Sequence, residues 1–180
     1  MIARHPAVRI PRMRTATRHG ENLDMPQTED LASTVAALAG EHGLSVAVAE
    51  SLTAGRIACE LGAAPDASTW FHGGVVAYAP EVKFTVLGVP VGPVVTEDCA
   101  RAMARGVADL LQADLAVAVT GVGGPGDDEG EPAGTVWFAV VSPGGEHAEL
   151  RRFDGEPPEV VAATTAHALR LLSDAAGAAR

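Results

Sequence analysis

Aromatic residues are few in this chain: one Tyr, two Trp and four Phe, 4% of the residues. Its core must be built mainly from Val, Ala and Leu, within a composition that is 47% hydrophobic. Cysteine is equally sparse. Cys59 and Cys99 fall in segments that read as helices, among small apolar residues, and both are expected to be reduced core residues. Neither belongs to a CxxC pair or a histidine-rich cluster, so no zinc pattern is present and neither metal nor cofactor is expected. No apolar run reaches the length of a membrane span. The basic first stretch lacks the apolar segment of a secretory signal, and a cytoplasmic location is expected.

Charge is unevenly spread. Residues 1–20 hold five arginines and no acid, so a net charge of −10 for the 180 residues leaves −15 for the rest. An acidic body repels phosphate backbones and argues against a nucleic-acid binder. A small anionic ligand is still accessible to a nest of backbone N–H groups. Residues 1–24 show no period and contain two prolines. They read as a disordered basic arm, and residues 25–180 as one domain.

The regular pattern begins with a helix expected from a Thr28 cap to about His42, stopped by Gly43, with Leu31, Val35, Leu38 and Ala39 as its stripe. "LSVAVAE" (44–50) reads as a short buried strand and 53–62 as a helix. "FHGGVVAY" (71–78) is a second strand. Pro80 opens a short helix and Thr96 caps a longer one through Leu111. "ADLAVAVT" (113–120), "TVWFAVVS" (135–142) and "EHAELRRF" (146–153) are further strands, and a helix closes the chain over 158–172. Helices separate the first three strands, which implies parallel crossovers; the last two form a hairpin. The expectation is an α/β fold with helices on both faces of a mixed five-stranded sheet, one strand antiparallel.

Three segments leave strands where open α/β sheets bind ligands. One is "AESLTAGRIA" (49–58), with Ser51. A second is "VVAYAPEVK", with Tyr78 and Lys83. The third is the glycine loop that begins at Thr120-Gly121. A serine hydroxyl needs a base to become a nucleophile. Neither G-x-S-x-G nor S-x-x-K is present. Of 13 Lys and Arg residues only Lys83 is a lysine, and arginine cannot give up its proton to act as a base. Tyr78, the single tyrosine, is placed to relay a proton between the two. Each residue also has a plainer role open to it: Ser51 or Thr53 as a helix cap, Tyr78 as a rim residue, Lys83 as a solvated charge. "TGVGGPG" (120–126) suits an anion nest or oxyanion site but is no Walker loop, because no G-K-[ST] follows. Its continuation, "GDDEGE", reads as flexible surface loop. Among the six histidines, His72 falls nearest the expected cleft.

Together "VAVAESLTAGRIACEL", "FHGGVVAYAPEVKFTVLGVP", "TEDCARAMARGVADLLQADLAVAVTGVGGPG" and "GTVWFAVV" resemble the C-terminal domain of competence/damage-inducible protein A, CinA. The resemblance spans about residues 29–172. It implies a three-layer α/β/α sandwich, homo-oligomers, no metal, and hydrolysis of the carboxamide of nicotinamide mononucleotide to nicotinic acid mononucleotide and ammonia. It implies a serine nucleophile assisted by tyrosine and lysine, here Ser51, Tyr78 and Lys83. Thr53 or its neighbours would then cap the helix. The expected substrate pocket comprises Glu50, Thr53, Gly55, Gly73, Gly74, Thr120, Gly121, Gly123 and Gly124.

The chain departs from the family's pattern at charged positions. A lysine commonly precedes "PVGTV" in the family, and Glu131 stands there in "EPAGTV". "GDR…VR" commonly opens the last helix, and "GEPPEVV" (155–161) holds no arginine. "VSEE" becomes "VTEDC", a mild change. The catalytic trio is kept while phosphate partners are lost, unless Arg151 or Arg152 replaces them. The departures leave two alternatives to a nucleotide amidase: a non-catalytic nucleotide-binding module, and an amidase acting on a less anionic amide.

Overall fold

The mixed five-stranded sheet is present in the computed structural model, which describes residues 25–179. The arm expected over 1–24 lies outside the described residues. The strands are β1 (Val46–Glu50), β2 (Phe71–Val76), β3 (Leu115–Gly121), β4 (Thr135–Ser142) and β5 (Gly145–Arg152). Their order is β2-β1-β3-β4-β5. β1 pairs in parallel with both β2 and β3, and β4 runs antiparallel to β3 and β5. β4 is thus the single reversed strand, as expected. The carboxyl ends of β1, β2 and β3 meet at one edge.

The helices are α1 (Met25–His42), α2 (Arg56–Ala63), α3 (Ala67–Trp70), α4 (Pro80–Val86), α5 (Glu97–Leu111) and α6 (Pro157–Ala178). Side chains alternate between sheet faces along a strand. Here the alternation is one of size. Val46, Val48, Val117, Val119, Val136 and Phe138 face α1, α2 and α6. Ala47, Ala49, Ala116, Ala118 and Ala139 face α5, which meets them with Cys99, Ala100, Met103, Ala104 and Val107. Small side chains let that single helix lie close, so the sandwich has a thick side and a thin side.

Several boundaries differ from the sequence reading. α1 begins at Met25, so Thr28 lies within it and is buried rather than capping it. Its end is as expected. Gly43 has φ +65° and Leu44 N donates to Ala39 O at 2.9 Å, the Schellman pattern. α2 starts only at Arg56, α3 is an added turn, and α6 runs on to Ala178. Thr96 caps α5, accepting from Cys99 N at 3.1 Å. Cys99 is buried, but Cys59 is exposed, because it lies on the outer face of α2.

The thin side sets a stability test. A Cβ added at Gly106 on α5 would sit 2.1 Å from Leu87 O, whereas one at Gly40 on α1 meets nothing within 4 Å. Gly106→Ala is expected to lower stability by about 1–3 kcal/mol through overpacking. Gly40→Ala should raise it by up to about 1 kcal/mol through helix propensity. Urea denaturation of both variants measures the difference; equal midpoints would contradict this packing.

Candidate active site

Glu50 ends β1 in a fully buried position. The chain then turns through residues 51–55, with Ala54 and Gly55 at φ +49° and +98°. The first N–H groups of a helix have no partners within it. Here the Glu50 carboxylate supplies them: Oε2 accepts from Gly55 N at 3.0 Å and Ile57 N at 3.1 Å, and Oε1 from Ala58 N at 2.8 Å. The cap expected at Thr53 is therefore made by Glu50. Thr53 is buried, and its Oγ1 has no hydrogen-bond partner among the described residues. The turn leaves the Ser51 side chain free of capping duty and aims it at the sheet edge.

α4 brings Lys83 to the same point. Pro80 occupies its first turn, where a missing N–H costs nothing. Lys83 is 1% exposed, and its Nζ donates to Ser51 Oγ at 2.9 Å and to Ala77 O at 2.8 Å. Ala77 N in turn donates to Glu50 O at 2.7 Å. Removal from water disfavours the ammonium, so burial holds the Lys83 pKa below the ordinary lysine value, although the nearby Cys99 and Glu129 oppose the shift. Burial also pushes the Cys99 thiol up, with Lys83 and a Thr120 hydrogen bond acting the other way.

Ser51 and Lys83 line a cleft of about 320 Å³. Tyr78, Thr120, Gly121, Gly123 and Gly124 line it too, so the three segments singled out in the sequence do converge. Tyr78 stands at the rim, 68% exposed, and makes no hydrogen bond to Ser51 or Lys83 among the described residues. The contact between serine and lysine is direct. Thr120 is buried and donates from Oγ1 to Val94 O at 2.7 Å. Gly121 is needed because a Cβ there would sit 2.4 Å from Thr135 O on the neighbouring strand. Glu50, Thr53, Gly55, Gly73 and Gly74 do not reach the cleft wall. Gly74 instead lets β2 approach β1: its Cβ would meet Val48 Cγ2 at 2.6 Å. His72 is at the start of β2, the opposite end of the sheet from the cleft, where its Nδ1 lies 2.9 Å from Leu111 O.

The acidic stretch "GDDEGE" forms a turn and is hydrogen-bonded to the segment before α5. Asp128 and Glu131 pair across a tight turn with Glu129 at φ +50° and Gly130 at φ +83°, as a type I′ turn requires. Glu129 Oε2 accepts from Val94 N at 2.7 Å and Val95 N at 2.8 Å. This fastens the loop to the segment before α5. Sequence reasoning missed the cleft residues Leu52, Val94, Val95, Asp128, Pro157 and Val161. No local pattern marks them; Val94, Val95, Pro157 and Val161 reach the cleft from where α5 and α6 begin, Leu52 from beside Ser51, and Asp128 from the glycine loop. Pro157 and Val161 come from "GEPPEVV". Among the described residues no group of three or more His, Cys, Asp or Glu is placed to hold a metal ion. No helix of the described residues is long and apolar enough to cross a membrane.

The CinA C-terminal domain family model matches residues 28–176. A "CinA-like protein" of Geobacter sulfurreducens is 41% identical over 141 residues, covering 75% of this chain and 34% of that protein. One of Frankia casuarinae is 37% identical over 149 residues, covering 80% and 34%. The chain thus spans about a third of the length of the curated relatives it matches. Among solved structures, competence damage-inducible protein A of Klebsiella pneumoniae superposes with TM-score 0.81 at 36% identity, covering 85% of this chain and 99% of that one. A competence/damage inducible protein of Agrobacterium tumefaciens gives 0.78 at 32% identity, covering 84% and 96%. With its whole sheet and cleft inside the matched span, the chain belongs to the CinA C-terminal domain family.

Proposed function

We propose that this domain is a serine–lysine amidase that hydrolyses the carboxamide of a nicotinamide nucleotide, with nicotinamide mononucleotide as the substrate named by the family resemblance. The observation that carries the reading is the buried 2.9 Å contact between Lys83 Nζ and Ser51 Oγ in the cleft. A neutral lysine beside a hydroxyl is a base poised to take its proton.

In this mechanism Lys83 Nζ accepts the Ser51 proton as Oγ attacks the amide carbon. The N–H groups of Ala54, Gly55 and Arg56 are already engaged with Ser51 O, Glu50 and Thr53 O. Those of Leu52 and Thr53 are the donors assigned to the oxyanion. Lys83 returns the proton to nitrogen as the C–N bond breaks and ammonia leaves. It then takes a proton from water as that water attacks the acyl-Ser51 ester, and passes it to Ser51 Oγ as the C–O bond breaks, so that the acid leaves and both groups return to their starting state. Tyr78 forms the outer wall against which the pyridine ring rests. The glycine loop faces the rest of the ligand with backbone groups.

Ammonia release from nicotinamide mononucleotide tests the proposal directly. Turnover is expected in the parent, none above background in Ser51→Ala, and a kcat lower by about 10²–10⁴ in Lys83→Ala. Lys83→Arg should be as inactive, because guanidinium stays protonated. A Ser51→Ala protein that retains turnover would sink the mechanism. A folded parent that binds the nucleotide without turnover would mark a binding module instead.

The pH dependence has a fixed sign. Activity should rise with pH as Lys83 loses its proton, with a midpoint below the ordinary lysine value of about 10.4. Between the lowered folded pKa and the unfolded one, the unfolded chain holds more protons. The Lys83 contribution to stability therefore also rises with pH across that window. A pH–rate profile of the parent measures the midpoint, and a midpoint at or above 10.4 would contradict a desolvated base.

Glu50→Gln replaces one acceptor oxygen by a donor that faces backbone N–H. It is expected to cost about 1–3 kcal/mol in urea denaturation and to lower kcat through displacement of the 51–55 turn. Unchanged stability would show that the carboxylate is not what holds the turn.

A further inference from the structure

The substrate read for this cleft brings more than an amide. A nicotinamide nucleotide also carries a ribose, whose two adjacent hydroxyls are donors that need acceptors once water is displaced. Most polar side chains of the cleft already have a task. Lys83 Nζ is bonded to Ser51 Oγ and Ala77 O, and Thr120 Oγ1 donates to Val94 O. The Tyr78 phenol stands at the rim.

Asp128 is the exception. It is the one acidic residue among the described residues that line the cleft. It is exposed, and its carboxylate makes no hydrogen bond or ion pair among the described residues. Its backbone, by contrast, is held. Asp128 N donates to Glu131 O at 3.0 Å, and Glu131 N donates to Asp128 O at 2.8 Å, which closes the turn. The next residue, Glu129, is fastened by Val94 N and Val95 N, themselves part of the cleft lining. A carboxylate on a fixed stem, with neither oxygen engaged, is an acceptor that a ligand need not order. The neighbouring acids are placed otherwise. Glu129 is engaged with those two N–H groups, Glu131 lies 3.8 Å from Arg152, and Asp127 is outside the cleft lining.

An ionised carboxylate offers two acceptor oxygens side by side, which matches two vicinal hydroxyls. Acidic side chains take ribose hydroxyls in the same way in dinucleotide-binding α/β folds. The diol occupies C2′ and C3′ of the sugar and the phosphate extends from C5′, so an acid at the diol edge leaves the phosphate directed away from it. We propose that Asp128 is a specificity-determining residue, which accepts hydrogen bonds from the ribose diol and so selects ribosylated carboxamides. The proposal rests on the reading of this cleft as a nicotinamide-nucleotide amidase site, and it names a residue that recognises that substrate.

The test uses the full chain. Ammonia release is measured from nicotinamide mononucleotide and from its 2′,3′-dideoxy analogue, in the parent, Asp128→Ala and Asp128→Asn. The parent is expected to show a kcat/KM at least about tenfold higher for the ribose compound, a ratio that corresponds to about 1.4 kcal/mol. Asp128→Ala should bring that ratio to about one, by raising KM for the ribose compound more than it changes kcat and without a matching loss on the dideoxy compound. Asp128→Asn keeps one acceptor oxygen and should fall between the two. An equal loss on both compounds would mean that the carboxylate meets the ring or only shapes the loop, and it overturns the proposal while the amidase reading stands. A parent that does not distinguish the two compounds overturns it as well. If neither compound is hydrolysed, the amidase reading fails, and calorimetric binding of both to the same three proteins decides the role of Asp128. The same pattern in Kd supports the diol contact; an equal loss, or no binding of either compound, overturns it.

Discussion

The cleft edge of this domain depends on a buried carboxylate. Glu50 has no access to water, so its charge must be compensated within the fold. The N-terminus of α2 does this with three N–H donors and the positive end of the helix dipole. The arrangement works in both directions. α2 gains the acceptors that its first turn lacks, and the end of β1 is fixed to the start of the helix. Between those fixed points the chain has five residues in which to reverse direction, two of them at positive φ. Ser51 is the first of the five. The main chain of Glu50 also accepts from Ala77 N, and Ala77 O holds the Lys83 amine. One residue thus positions the Ser51 hydroxyl and the Lys83 amine through separate atoms.

The sheet makes this placement rigid by dividing its core unequally. Valines meet three helices on one face, while alanines admit a single close helix on the other. The thin side lets α5 and the segment before it come near the strand ends. Val94 is consequently within reach of Thr120, and Val94 and Val95 within reach of Glu129. Two parts of the chain distant in sequence, 94–95 and 120–129, are tied together at one wall of the cleft. Walls held in place in this way need not be ordered when a ligand enters the cleft.

Much of this is legible in the sequence, and the illegible parts share a cause. Strand order in the chain, the parallel crossovers, the reversed β4 and the convergence of Ser51, Lys83 and Thr120 follow from periodicity and from the ends of strands. The solitary lysine marks itself. The size alternation in "VAVA" and "LAVAVT" is also written in the sequence, although a polarity scale sees only a uniform apolar run. The cap of α2 is different. "ESLTAGR" offers Ser51 and Thr53 as local caps, and local rules choose between them; the residue that caps is Glu50, still inside the strand, because the turn folds the helix back over it. "GDDEGE" misleads in the same way. Its composition is that of a solvated loop, and its order comes from backbone N–H groups some 35 residues away in the chain. Tyr78 and the opening residues of α6 likewise acquire their places only when the layers assemble.

The burial of Lys83 links the cleft's electrostatics to its packing. An ammonium removed from water is costly, and the fold can offset that cost by supplying negative partners or by leaving the amine neutral. Cys99 and Glu129 push toward the charged form, and desolvation pushes against it and is the largest influence. Glu129 cannot approach as a direct partner, because its carboxylate is held by Val94 N and Val95 N. A carboxylate bound directly to Lys83 would stabilise the ammonium and oppose the lowering of its pKa. The backbone donors that fasten Glu129 therefore do two things at once. They order the acidic loop against the cleft wall, and they keep its charge far enough from the amine for desolvation to prevail.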